Sequence, residues 1–285
     1  MDAGLAAARQ AFAARLVSAF AIGSLAHGGF APAASDVDLA LILAELKGDE
    51  PDRVRQIGEA VRQASLSPLA GRLSVFWSSW EALKAGSGAG RFPLADRQDL
   101  AAAGVCLFGH DERARIALPS GEAMRRALIV EGARFMLEKL ATPERNALLK
   151  DPEALVALGC RDVTKAVLFP ARFLFTAHAG RPAGNEEAAQ YVARSAEGPV
   201  GDLALAAFGW RNVGRLDDGA AAALSAGLLP LHGLLTQVYR AELDSFGEAA
   251  LAEAVEGWGK DLAGAGRLRR FRDDQRQRGQ GGHGR

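Results

Sequence analysis

Apolar positions in the first third of the chain fall into short runs divided by glycine, proline and charge. Leu16–Gly23 is one such run, ended by glycine; Val37–Leu43 is a second and Leu73–Trp77 a third. Their lengths fit buried strands. Residues 3–15 read instead as a short Ala/Arg helix. Between the second and third runs, Val54, Ile57 and Val61 share one face of a helix over Pro51–Gln63, with Arg and Gln opposite. Strand, loop, strand, helix, strand predicts an α/β (α+β) unit with a small mixed sheet.

After about Pro119 the period changes. Ser120 is an N-cap for a helix running to about Leu140. Thr142-Pro143-Glu144 and Asp151-Pro152-Glu153 each set a capping residue before a proline suited to the first helical turn. Apolar-periodic segments follow at 152–179, 185–196, 200–213, 219–243 and 247–263, with Pro170 a candidate kink in the first. This half predicts an all-α helical bundle. The organisation expected is 1–118 for the α/β domain, 119–266 for the bundle and 267–285 for a tail. That tail holds seven Arg against Asp273 and Asp274. It reads as a solvated, partly disordered terminus, with nucleic-acid binding as the alternative.

Composition narrows the partners. The chain has 285 residues, 49% hydrophobic and 24% charged, which is globular usage. Lys plus Arg (34) equals Asp plus Glu (34), so bulk charge argues neither for nor against a polyanionic partner and any basic surface would be local; nucleic acid is not among the expected partners. Cys106 and Cys160 sit in apolar company without metal or redox spacing. They read as small buried side chains in a reducing cytoplasm. Residues 1–36 have the outline of a signal peptide, but Asp2 and the interruption at His27-Gly28-Gly29 count against it. The nearest approach to a membrane span, Ala220–Val238, contains Pro230, His232 and Gln237, so no membrane role is expected.

The candidate chemistry lies between the first two strands. Asp36 and Asp38 are two apart at a strand start, so both carboxylates leave one face about 7 Å apart along the chain. Two such carboxylates repel unless a cation lies between them, and Mg²⁺ takes hard oxygens together with substrate phosphates. Gly23-Ser24 ends the preceding strand and can offer backbone N–H groups and a hydroxyl to phosphate oxygens. Gly28 and Gly29 allow close approach of a ligand. There is no Gly-Lys-Ser/Thr, and the glycines do not open a helix as GxGxxG. Chance acids on a strand remain the bland alternative.

Residues 20–39, FAIGSLAHGGFAPAASDVDL, resemble the signature of the DNA polymerase beta-type nucleotidyltransferase superfamily, nearest its aminoglycoside adenylyltransferase-like members. In those, Gly-Ser is followed by about ten residues and Asp-x-Asp; here residues 25–35 intervene. The segment Asp96–Arg113, with Gly104-Val105-Cys106-Leu107-Phe108-Gly109, resembles the stretch closing that domain, and the helical half resembles the family's C-terminal bundle.

The resemblance implies a reaction: a hydroxyl attacks the α-phosphate of ATP or another NTP, and pyrophosphate leaves, with metal ions at both oxygens. Asp36 and Asp38 would hold Mg²⁺, and Gly23 and Ser24 would bind the nucleotide. Two ions are expected only where a third carboxylate is supplied. The family carries that acid on a following strand, and residues 71–79, GRLSVFWSS, contain none. Glu81 is the nearest, and an acid from the helical half is the other substitute. From that half, Arg161 and Lys165, four apart on one helix, are the cations expected on the triphosphate, with Arg172 a further candidate.

His27 is a candidate phosphate donor or a plain loop residue. His110, His178 and His232 read as structural, and Trp77, Trp80 and Trp210 as core. A small-molecule acceptor is expected over a protein one. The helical half's acids (Glu131, Glu138, Glu186, Glu187, Asp202) are scattered rather than gathered for a polycation. Two functions lead, a nucleotidyltransferase and a nucleotide-binding regulatory or sensor protein without turnover, with a nucleic-acid end-processing enzyme using the Arg-rich tail as the third.

Overall fold

The computed structural model describes the backbone of residues 1–280 and the side chains of residues 1–264. Two compact units divide the chain, Met1–Ala127 and Leu128–Arg285. The change of sequence texture at 118/119 comes nine residues before that division. The Arg-rich stretch 267–285 falls on residues whose side chains, and from 281 onward whose backbone, lie outside the described ones.

The first unit opens with helix α1 (Asp2–Phe12), strand β1 (Leu16–Ile22) and a single helical turn, α2 (Ser24–His27). Strand β2 (Val37–Leu43), helix α3 (Glu50–Ala64) and strand β3 (Leu73–Ser79) follow, then α4 (Trp80–Lys84), α5 (Leu94–Ala103) and β4 (Val105–Gly109). The strands form one mixed sheet in the order β3-β2-β1-β4. β1 is antiparallel to both neighbours, whereas β2 and β3 are parallel, with α3 as the crossover that parallel neighbours need.

The two central strands read as continuous apolar runs because both sheet faces are covered. On one face Ala19, Leu39, Leu41, Leu43, Val75 and Trp77 pack with Ala8 and Phe12 of α1 and Ile57 and Val61 of α3. On the other, Phe20, Ile22, Ala40, Ile42 and Phe76 pack under Trp80, Leu83, Phe92 and Leu100. Asp36, Asp38, Ala40 and Ile42 belong to the second face by the two-residue period of a strand. The apolar layer covers Ala40 and Ile42, and both aspartates, at the start of the strand, are only half-buried.

The edge strand β4 gave no buried alternation in the sequence because much of it faces outward; Val105 and Cys106 are exposed. Cys106 is therefore not the buried thiol expected. Cys160 is partly buried; its Sγ donates to the Trp210 carbonyl at 3.3 Å, and burial raises its pKa. The tryptophans are core residues: Trp77 and Trp80 in the two sheet layers, and Trp210 in the helical unit.

Helix α6 (Gly121–Phe135) leads into the second unit and ends in a wider turn at Met136–Leu140. Helices α7 (Pro143–Leu149) and α8 (Pro152–Ala157) start as the Thr-Pro and Asp-Pro pairs predict. The Thr142 and Asp151 side chains accept from the N–H groups of Arg145 and Ala154. The rest is α9 (Cys160–Ala179), α10 (Asn185–Ser195), α11 (Pro199–Val213), α12 (Ala220–Ser245) and α13 (Ala249–Gln280). By length and apolarity alone α12 qualifies as a membrane span. Its residues Leu224, Leu228, Leu231, Leu235, Tyr239 and Leu243 nevertheless recur at helical spacing and are fully buried in the bundle core.

Candidate nucleotide site

The turn after β1 is set by backbone geometry. Gly23 has φ +66°, and a Cβ built there would stand 2.5 Å from Asp38 Oδ2. Only glycine combines that left-handed conformation with the approach of a carboxylate. In the β1–β2 ladder Asp38 is the partner of Ile22, which explains why its side chain reaches the turn one residue further on. Gly23 and Asp38, fifteen residues apart in sequence, are thus in direct contact.

The intervening loop is pinned by its own polar groups. Ser24 donates to Ser35 Oγ at 3.3 Å, and the buried Ser35 hydroxyl accepts from the Ala31 N–H at 2.9 Å. Arg72, just before β3, donates from Nη1 to the Pro32 carbonyl at 2.8 Å. At Gly28 (φ +85°) and Gly29 (φ +79°) an added Cβ would meet nothing within 4 Å, so these glycines serve the chain's turn and border open space. Asp99 of α5 closes the turn from another side. Its Oδ2 accepts from the Gly23 N–H at 2.5 Å, and its Oδ1 lies 3.7 Å from His27 Nε2. The Gly23 amide, expected to face phosphate, is therefore engaged by a carboxylate.

Sequence reasoning missed Ser35 and Asp99. Ser35 adjoins Asp36, but the meaning of its hydroxyl depends on the fold of the loop; Asp99 lies 76 residues beyond Gly23.

On β3, Ser74 is the in-register partner of Asp38. Parallel partners share a face about 4.8 Å apart, so Ser74 is the position from which a carboxylate on this strand would join the aspartates. Glu81 does not substitute. It is exposed in the first turn of α4, beyond the opposite end of β3. Five residues of strand, about 17 Å, separate Ser74 from Ser79 alone. No group of three or more His, Cys, Asp or Glu that could hold a metal occurs among the described residues. Two carboxylates remain a fit for one hard cation that draws its other ligands from phosphate and water, the arrangement Mg²⁺ favours.

Arg161 and Lys165 lie on α9 in the second unit, where Lys165 Nζ is 5.7 Å from the Phe169 ring centroid. Arg172 on the same helix donates from Nε to the Ala183 carbonyl at 3.1 Å, a structural use. His232 is fully buried, with Nδ1–H donating to the Leu228 carbonyl at 3.0 Å, and His178 stacks on Tyr191. Both are structural in this way.

The architecture is thus a small mixed four-stranded sheet followed by a helical region, with a Gly-Ser turn set against the start of an Asp-x-Asp strand. Among solved structures the chain is similar to spectinomycin adenyltransferase AAD(9) from Enterococcus faecialis, determined with ATP and spectinomycin. The likeness has a TM-score of 0.58 at 14% identity and covers 83% of this chain and 97% of that one. At that identity it is a likeness of fold. No family model and no curated protein matches the chain.

Proposed function

We propose that this chain is a Mg²⁺-dependent nucleotidyltransferase that moves an NMP group from an NTP, ATP first among them, to a hydroxyl of a small-molecule acceptor. The observation that carries the reading is the contact of Asp38 with the Gly23 turn, on a fold shared with an adenyltransferase determined with ATP. In the reaction the acceptor oxygen bonds to the α-phosphorus, the bond to the β-phosphate bridge breaks, and pyrophosphate carries away that electron pair.

Asp36 and Asp38 would hold the metal, which when bound supplies charge neutralisation at the triphosphate. The Gly23–His27 turn orients the phosphates, with the Ser24 and Leu25 amides as the donors on offer and the Ser24 hydroxyl joining them on turning away from Ser35 Oγ. Arg161 and Lys165 are the cations we assign to the phosphates. The cytoplasm, where ATP and free Mg²⁺ are abundant, is the compartment this reading implies.

A second reading rests on Ser74. With serine where a third carboxylate would adjoin Asp38, no acid on β3 is placed to take the acceptor's proton. That favours a nucleotide-binding regulatory protein with little turnover, since lost general-base help costs on the order of 10²–10⁴-fold in rate.

The test is pyrophosphate release from ATP or GTP with Mg²⁺ across a panel of hydroxylated acceptors, spectinomycin included. Release that vanishes in Asp38→Asn supports the transferase. Saturable binding without release across the panel supports the second reading, and absence of nucleotide binding overturns both.

A further inference from the structure

The proposed nucleotide turn is held at its two ends by one side chain that belongs to neither flanking strand. Gly23 precedes α2 and His27 ends it; Asp99 Oδ2 accepts from the Gly23 N–H, and Asp99 Oδ1 faces His27 Nε2 at 3.7 Å. We propose that Asp99 is a positioning residue that locks the Gly23–His27 turn into its nucleotide-binding shape. The proposal rests on the nucleotide reading of the site.

Three facts carry it. First, Asp99 is placed rigidly: its helix α5 is anchored under the sheet by buried Leu94, Arg97 and Leu100, with Leu100 in the same apolar layer as Phe20 and Ile22. Second, the group it holds needs holding. Gly23 at φ +66° sits in a conformation glycine adopts freely but has little reason to keep, and the N–H lies just past the end of the β1 ladder. A charged acceptor is the strongest single partner for that donor. Third, the other carboxylate oxygen is directed at the far end of the same turn: Asp99 Oδ1 lies 3.7 Å from His27 Nε2, and the Asp99 side chain is only a quarter exposed. Asp99 thereby fixes the direction of the Ser24 hydroxyl and of the Ser24 and Leu25 amides without touching the nucleotide itself. Asp38 bounds the glycine from one side and Asp99 holds its N–H from another.

The experiment combines two readouts on the full chain. Amide hydrogen exchange over residues 20–30 reports the turn, and titration with a fluorescent ATP analogue plus Mg²⁺ reports binding. Asp99→Ala is expected to speed exchange and weaken binding, each about 10-fold, the loss of one hydrogen bond to a charged acceptor. Asp99→Asn keeps an acceptor oxygen for Gly23 N–H, and its exchange is expected to stay within about 3-fold of wild type. His27→Gln, exposed and outside the core, removes the other half of the lock and is expected to speed exchange of the turn even where Asp99→Ala does not fold. Unchanged exchange in Asp99→Ala, tighter binding in that variant, or an Asn variant as impaired as Ala would each overturn the lock. Wild-type protein that binds no nucleotide overturns the nucleotide reading instead, while the exchange data still judge the lock.

Discussion

Asp38 Oδ2 occupies the space that a side chain on Gly23 would need, 2.5 Å from the ideal Cβ position. The carboxylate proposed to hold the metal and the turn proposed to hold the phosphates are therefore a single steric unit. Gly23→Ala is expected to destabilise the fold by about 1–2 kcal/mol through its left-handed φ. It should weaken Mg·ATP binding further, because Asp38 must move. Thermal melting and nucleotide titration on the same protein separate the two effects; a binding loss no larger than the stability loss would argue against the coupling.

Asp36→Asn and Asp38→Asn are each expected to leave the protein folded, as read by thermal melting, because the exchange is isosteric and both side chains are only half-buried. Pyrophosphate release should drop on the order of 10²-fold or more. Mg²⁺-dependence of ATP binding is the direct measurement. Binding that remains equally Mg²⁺-dependent in both variants would remove these residues from the metal site.

Ser74→Glu puts a carboxylate in register with Asp38, on the same face. Where the proton of the acceptor hydroxyl limits the rate, the variant should release pyrophosphate on the order of 10²-fold faster. The gain should disappear in the Ser74→Glu/Asp38→Asn double variant. Steady-state kinetics with the best acceptor found for the wild type decides it, and an unchanged rate would show that the missing acid is not the limitation.

In the helical unit, burial depresses the pKa of His232 to about 4 from an ordinary 6.5, against a smaller opposing effect of its hydrogen bond to Leu228. Below pH 6.5 the unfolded chain binds a proton that the folded chain refuses, so stability falls as pH drops from 6.5 toward 4. The loss is on the order of 3 kcal/mol across that window. Urea melts of wild type and His232→Leu at pH 7 and pH 4.5 should show a smaller pH slope in the variant.

Much of this architecture was legible from residue pattern. Leu16–Ile22 and Val37–Leu43 are continuous apolar runs because their strands are central and covered on both faces. The caps Thr142 and Asp151 announced their helices, since a side chain acting on an amide three residues later is a local event. β4 was not legible as a strand because an exposed edge strand has no buried alternation to read. Cys106 was misjudged for the same reason: apolar neighbours in sequence are not apolar neighbours in space.

The candidate site divides along the same line. Sequence by itself put Asp36 and Asp38 on one face at a strand start and Gly23-Ser24 at the end of the strand before, because a two-residue strand period and a glycine at a strand end are local properties of the chain. Only the tertiary structure decided that Asp38 touches Gly23, that Ser74 and not Glu81 is the neighbour beside it, and that Asp99 holds the turn. Each of those depends on strand register or helix packing, which bring together residues far apart in the chain, and no local spacing encodes them.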